Sequence, residues 1–337
     1  MSRVRVLSDK DISQIINLKS VVAAVEDAYK QKSNNEGNVW PMVFYEYEHE
    51  VFDLDIRSGN LAGSGAYGLK LLSYNENNPE RGISKVNATA IVCNDKTGEP
   101  LAILNAAPIT SYRTGAAAAI GAKYLAKDNS ENLLVVGTGN IAKYSTAAML
   151  LLIRTIKRVY LYNSRRTISK DELLAFRDEV SRLLRESGDE TDVEFSVVDD
   201  LSGVVRMSDI VVTATPSEKA MINDEWVMPG THFSCMGAGT VGKQEIDEKT
   251  FIRARTFADD ETQCLECGEA QCAYNKKLFS GFNGEIGDIL LGKIDGRTSE
   301  DDITIFDSTG LFLQDLATAM ELVKESNMKN VGMEIEL

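Results

Sequence analysis

The chain has 337 residues, 43% of them hydrophobic, with 36 Lys and Arg against 51 Asp and Glu and a net charge of −15. That length allows about two domains, and the acidic balance argues against nucleic acid or an anionic membrane as the main partner. No apolar stretch follows the opening Met-Ser-Arg-Val-Arg, and no run reaches the length of a membrane span, so a cytoplasmic protein is expected.

Taken in chain order, the pattern predicts a helix over 18–32. Short strand-like runs follow at 43–47, 51–56, 68–72, 88–93 and 101–105, and residues 94–98 form a turn between two of them. This reads as a mostly antiparallel sheet with a flanking helix. Residues 110–126 then turn helical around an alanine-rich core. From residue 132 strands alternate with helices: strands at 133–136, 159–162, 193–198, 210–214, 231–236, 255–258 and 304–306, and a last helix over 311–326. Such alternation implies a parallel sheet with crossover helices.

The run Leu133-Leu134-Val135-Val136-Gly137-Thr138-Gly139-Asn140-Ile141-Ala142 joins a buried strand to a helix through a tight turn. The helix N-terminus points bare N–H groups and a partial positive charge over that turn, where a pyrophosphate fits. Gly137 permits the turn, Gly139 lets phosphates approach, and Ala142 fills the third small position. Thr138, Asn140 and Ile141 complete the candidate cradle. A glycine turn of this kind also arises by chance. Here a helix over 143–156 and a strand over 159–162 complete one strand–helix–strand unit of about 30 residues, which favours a dinucleotide.

The residues after that second strand choose the nucleotide. An NAD site usually offers an acid to the ribose 2′-OH. This chain has Asn163-Ser164-Arg165-Arg166-Thr167, without an acid and with two guanidiniums suited to a 2′-phosphate. NADP is therefore expected, with NAD possible; a solvated basic turn is the plain alternative. Two later strand ends carry further candidates. Thr213 and Thr215, in Thr213-Ala214-Thr215-Pro216-Ser217, could line the nicotinamide-side ribose. Met236 and Gly237, in Met236-Gly237-Ala238-Gly239, would let backbone run close to the nicotinamide. Thr, Ser and Gly also favour ordinary loops.

The five cysteines, at 93, 235, 264, 267 and 272, do not suggest structural disulfides. Cys264-x-x-Cys267 with Cys272 lacks a fourth ligand nearby, so no metal is expected, and the thiols are assigned to a helix between 260 and 276. His49 lies in an acidic stretch and His232 in an apolar strand; neither is poised as a base for alcohol oxidation. A protonated imine is already electrophilic and takes a hydride without an acid at that step. Arg57, Lys70 and Arg113 each border an apolar run and are candidate anion binders. Lys70 either points into a site or snorkels out of a strand. Arg113 opens the alanine-rich helix, the wrong end for a cation unless an anion is near.

At this point the chain resembles the ornithine cyclodeaminase/mu-crystallin family. The resemblance rests on Glu99-Pro100-Leu101-Ala102-Ile103-Leu104, Ile109-Thr110-Ser111-Tyr112-Arg113-Thr114-Gly115-Ala116-Ala117 and Ala122-Lys123-Tyr124-Leu125-Ala126. It continues in Val211-Val212-Thr213-Ala214-Thr215-Pro216-Ser217, Pro229-Gly230-Thr231-His232, Gly242-Lys243-Gln244-Glu245-Ile246-Asp247 and Phe306-Asp307-Ser308-Thr309-Gly310-Leu311. It implies an α/β protein with a Rossmann NAD(P)-binding domain over 114–309. A second α+β domain, for substrate binding and dimerisation, would comprise 1–113 with 310–337. The implied protein is a homodimer that moves a hydride between nicotinamide and the α-carbon of an amino or imino acid. Lys70 and Arg113 would hold the substrate carboxylate, and Lys70 is also the candidate catalytic residue. Arg57, 13 residues before Lys70, stands where cyclodeaminases typically have glutamate and some amino-acid dehydrogenases have arginine.

Two departures shift the expected reaction. Gly239 stands where the family often has an aspartate that serves cyclodeaminase chemistry at the substrate amine. Pro41-Met42-Val43 lacks the arginine of the family's Pro-x-Arg. Imine reduction or amine oxidation on a small amino or imino acid is therefore expected. Ornithine cyclodeaminase and a catalytically quiet NADP-binding sensor are the alternatives.

Overall fold

The structure, a computed structural model, describes residues 3–49 and 51–337. Met1, Ser2 and Glu50, the last in the acidic stretch around His49, lie outside the described residues. The chain divides into two compact units, Met1–Arg113 with Leu311–Leu337, and Thr114–Gly310.

The first unit opens with β1 (Arg3–Leu7), α1 (Asp9–Ile15) and α2 (Leu18–Ser33). Ser8 and Asp11 cap α1 reciprocally, and Asn17 caps α2. β2 (Gly37–Val39), β3 (Val43–Glu48), β4 (Phe52–Leu61), β5 (Ala66–Asn75), β6 (Val86–Asn94) and β7 (Pro100–Asn105) follow. The helix α3 (Ala107–Leu125) carries the unit boundary between Arg113 and Thr114. It starts three residues before the expected position because Asn105 Oδ1 accepts from the Ala107 N–H at 3.0 Å and Pro108 is tolerated in the first turn. Arg113 thus sits in the second turn, not at the opening, and the dipole argument for an anion there does not apply.

The second unit is built on β8 (Asn132–Val136), α4 (Asn140–Leu152), β9 (Arg158–Tyr162), α5 (Lys170–Glu186), β10 (Glu194–Val197), α6 (Leu201–Met207) and β11 (Ile210–Thr213). Then come β12 (Glu218–Ile222), β13 (His232–Cys235), β14 (Gln244–Ile246), α7 (Thr250–Arg253), β15 (Ala254–Ala258), α8 (Glu261–Cys267), α9 (Gln271–Asn275), β16 (Gly284–Glu285), α10 (Ile286–Leu290) and β17 (Ile303–Asp307). Eight of the strands form an all-parallel sheet in the order β10-β9-β8-β11-β13-β17-β15-β16; β12 and β14 pair separately. The order reverses between β8 and β11, the switch point at which a doubly wound sheet opens a crevice for a dinucleotide. The continuous apolar runs of β8 and β11 are buried outright, as a sheet covered on both faces requires.

The helix expected between 260 and 276 is two helices, broken at Gly268. A Cβ there would lie 2.6 Å from Asp307 Oδ2. That carboxylate takes the N–H groups of Glu269 and Ala270 at 3.0 and 2.9 Å, so the chain must bend around it.

The chain returns to the first unit through α11 (Phe312–Lys329) and β18 (Met333–Glu336). The completed sheet runs β18-β1-β7-β6-β5-β4-β2, with β3 also paired to β4. α11 lies beside α2 and across β4 and β5. Gly59 and Gly68 face each other in register beneath it. A Cβ on either would meet Leu313 at 3.1 Å or Leu316 at 3.4 Å, and backbone carbonyls at 2.4 Å. These two glycines let α11 sit close to the sheet. Among the described residues no helix is long and apolar enough to cross a membrane.

Candidate functional site

The first unit assembles a buried charge cluster. Arg57 on β4 and Lys70 on β5 are directly opposed in the antiparallel register, which puts both side chains on one face. α11 brings Asp315 onto that face, and α3 brings Arg113. Lys70 Nζ lies 2.9 Å from Asp315 Oδ1, and Arg113 Nε lies 3.5 Å from the same oxygen. Arg113 also donates to Gln314 Oε1 at 2.9 Å, and Gln314 in turn contacts the Tyr29 hydroxyl. Arg57 Nε lies 3.4 Å from Asp55. Lys70, Arg113 and Asp315 are all buried, so Lys70 does not snorkel to solvent.

Burial pushes the Lys70 ammonium below its usual range, aided by Arg113 and Arg57 and opposed by Asp315. Burial pushes the Asp315 carboxyl up, but Lys70 and Arg113 outweigh it and hold the group low. Among the described residues, the three cations Arg57, Lys70 and Arg113 thus meet the two carboxylates Asp55 and Asp315, with one positive charge in surplus. Asp315 and Gln314 went unnoticed in the sequence because they sit in an ordinary helix-forming stretch after Phe306-Asp307-Ser308-Thr309-Gly310-Leu311.

In the second unit the glycine turn has the shape a pyrophosphate requires. Gly137 has φ +114°, and a Cβ on it would lie 2.6 Å from Ala214 O. Gly139 is the N-cap of the 13-residue α4, with no side chain capping the helix, and nothing stands within 4 Å of the position its Cβ would take. The uncapped N–H groups of α4 are thus left for an anion. Thr138 receives a hydrogen bond from Asn163 Nδ2 at 3.1 Å, which ties the glycine turn to the loop after β9. Asn140 is exposed and Ile141 half-buried beside it.

That loop lines a cavity of about 280 Å³ with Asn163, Ser164, Arg165, Arg166 and Asp199 among its walls. The two arginines differ. Arg166 pairs with Glu172 at 2.6 Å and holds that carboxyl down at about 2. The Arg165 N–H is fixed by Asn163 Oδ1 at 3.0 Å while its side chain stays exposed. Glu172 also belongs to the capping box of α5 with Ser169.

The remaining candidates face inward. Thr213 is fully buried in β11. The Thr215 hydroxyl donates to Glu245 Oε1 at 2.7 Å. Met236 is buried, and the Gly237 N–H donates to Glu245 Oε2 at 3.0 Å. Gly239 is roomier: a Cβ there would meet only Thr309 O, at 3.7 Å. His232 is buried between Thr304 Oγ1 and Ser234 Oγ, at 2.9 and 3.0 Å, and burial drives its imidazole well below the usual range. His49 is exposed near Glu46. Cys264 is buried against Asp259, and among the described residues no group of three metal-ligating side chains converges.

The sheet order, the switch point and the uncapped helix behind Gly137 define a Rossmann-type nucleotide-binding domain, joined in this chain to a second domain. The model of the ornithine cyclodeaminase/mu-crystallin family matches residues 3–330, and the chain belongs to that family. It is 32% identical over 333 residues to alanine dehydrogenase of Archaeoglobus fulgidus, covering 98% of each chain. It resembles an archaeal alanine dehydrogenase dimer with bound NAD at 32% identity and a TM-score of 0.87, covering 99% of both chains. It also resembles the iminosuccinate reductase of Paracoccus denitrificans in complex with NAD+, at 28% identity and a TM-score of 0.90, covering 99% of this chain and 100% of that one.

Removing the Asp315 charge strands two buried cations beside each other. Asp315→Asn is expected to destabilise the protein by about 3–5 kcal/mol, read as a lower urea midpoint with an unchanged m-value.

Proposed function

We propose that this protein is a cytoplasmic, homodimeric NAD(P)-dependent oxidoreductase acting on the C–N bond of a small amino or imino acid. The observation that carries the reading is the cluster of Arg57, Lys70 and Arg113, whose one surplus charge matches a substrate carboxylate. A guanidinium beside an ammonium on a rigid face can grip a carboxylate at both oxygens and fix the α-carbon. When bound, a nicotinamide cofactor supplies or accepts the hydride. Lys70 and Arg113 orient the substrate, and Lys70, its ammonium pushed down by burial, holds or releases a proton at Nζ. Neither histidine is available as a base: His232 has both ring nitrogens occupied inside the sheet, and His49 lies on the surface. An iminium carbon needs no such base to accept hydride. Kinship with an alanine dehydrogenase and an iminosuccinate reductase supports the same class of reaction.

Purified protein with NADPH and a panel of cyclic imino acids and keto acid–amine pairs should show net loss of cofactor absorbance. Ammonia from ornithine without net cofactor change would instead make it a cyclodeaminase, and tight NADPH binding without any turnover would make it a sensor.

The cofactor we favour is NADP, cradled by Gly137, Thr138, Gly139, Asn140 and Ile141, with Asn163, Ser164, Arg165 and Arg166 around the 2′-phosphate. Thr213, Thr215, Met236 and Gly237 form the framework of the nicotinamide side. Arg165 is the arginine left for a phosphate; the Arg166–Glu172 pair is the observation that favours NAD as the second reading. Arg165→Ala should weaken NADPH at least about tenfold and leave NADH nearly unchanged in a fluorescence titration. Equal loss for both cofactors counts against phosphate pairing.

The dimer is supported by the edge strand β3, along which Phe44, Tyr45 and Tyr47 are 56, 56 and 59% exposed. Trp40 and Met42, just before β3 in the chain, are also exposed. An edge that presents apolar side chains on both faces needs a cover in solution. Light scattering should report a dimer for the wild type and a monomer for the Tyr45→Asp, Tyr47→Asp double variant; a monomeric wild type at micromolar concentration sinks the idea.

A further inference from the structure

The carboxyl ends of β11 and β13 are tied together by one buried side chain that no candidate role so far uses. Glu245, on β14, is fully buried. Its Oε1 accepts from both the N–H and the hydroxyl of Thr215, each at 2.7 Å. Its Oε2 accepts from the Gly237 N–H at 3.0 Å. A side chain at Gly237 is impossible while that carboxylate is present: a Cβ would lie 2.3 Å from Glu245 Oε2 and 2.3 Å from Thr215 O. Gly237 therefore serves this internal contact, whatever else passes near it.

Glu245 is itself held from behind. Glu269 Oε1 accepts from the N–H groups of Glu245 and Ile246, both at 2.7 Å. Asp307 holds the backbone of Glu269 and Ala270. The carboxylate is thus the end of a buried relay of acids, each engaged by backbone N–H donors, and it is presented at fixed height to two loops. Three donors already engage both oxygens of this fully buried carboxylate, which leaves it little scope for acid–base work on a ligand. Its position suits a clasp.

What the clasp positions follows from the sheet order. The pyrophosphate seat at α4 lies after β8, and the Arg165 loop follows β9, on one side of the switch point. The adenosine half of a dinucleotide goes to that side, so the nicotinamide half goes to the other, toward β11 and β13. We propose that Glu245 is a positioning residue for the nicotinamide half of the cofactor, acting through Thr215 and Gly237 to set the spacing of the two loops that receive it. The inference rests on the dinucleotide reading above.

The test separates the nicotinamide half from the rest of the ligand. Wild type and Glu245→Gln are titrated calorimetrically with NADPH and its nicotinamide-free fragment 2′-phospho-ADP-ribose, and with NADH and ADP-ribose alongside. The amide turns an NH₂ toward one of the backbone N–H groups, so one loop is released. Glu245→Gln should weaken the whole dinucleotide at least about tenfold, and the fragment should change less than about twofold, because the seat at α4 is untouched. Thr215→Val, which removes only the hydroxyl contact, should weaken the dinucleotide in the same direction by about threefold or more, and it carries the test if the first variant does not fold. Equal loss for dinucleotide and fragment makes Glu245 merely structural and overturns the proposal, as does unchanged binding of both. A wild type that binds neither ligand overturns the dinucleotide reading itself.

Discussion

A carboxylate survives inside a protein only where donors or cations replace the water it has lost. Both units of this chain are arranged around that constraint. In the first, Asp315 stays ionised because Lys70 and Arg113 converge on one of its oxygens. The convergence needs α11 close to the sheet, and that needs the facing glycines of β4 and β5. In the second, Glu245, Glu269, Asp307 and Asp259 are buried without such cations and are engaged by backbone and hydroxyl donors. Asp259 takes the Ser308 hydroxyl and the Gly310 N–H, both at 2.8 Å. The loops at the carboxyl ends of the parallel strands take their shape from these acids.

The two solutions differ electrically. The cluster in the first unit sets three cations against two carboxylates, which is the surplus the proposed carboxylate grip draws on. The acids of the second unit bring no cation with them, and burial drives Asp307 up to about 7. The anion site proposed for the second unit rests on a different source, the uncapped helix end at Gly139 and the Arg165 loop. The molecule as a whole is strongly acidic, so each attraction is local and short in range.

Much of this was legible in the sequence. The parallel sheet showed as alternating apolar runs and helical stretches, and the Gly137 turn showed because strand, glycines and helix are contiguous. Arg57, Lys70 and Arg113 could be singled out as cations bordering apolar runs. Their partner could not: Asp315 is more than 200 residues from Arg113, and nothing local marks it. The start of α3 was missed because Asn105 acts as a cap although it ends a strand. The break at Gly268 was missed because its cause, Asp307, arrives from another strand. β1, β18 and the small sheet of β12 and β14 are short, and short strands have too few alternations to announce themselves.

The contact between Gly237 and Glu245 limits which residues the turn can accept. A residue larger than glycine cannot enter position 237 while the carboxylate occupies the space, and the same holds for Gly268 against Asp307. Each glycine therefore faces one acid, Gly237 the Glu245 carboxylate a short loop away and Gly268 the Asp307 carboxylate from another strand. Losing the acid alone frees neither position, because backbone also stands in the way: a Cβ at 237 would still lie 2.3 Å from Thr215 O, and one at 268 still 2.8 Å from Cys264 Cα. Two obstacles of different kinds, one a side chain and one the backbone, thus hold each position to glycine.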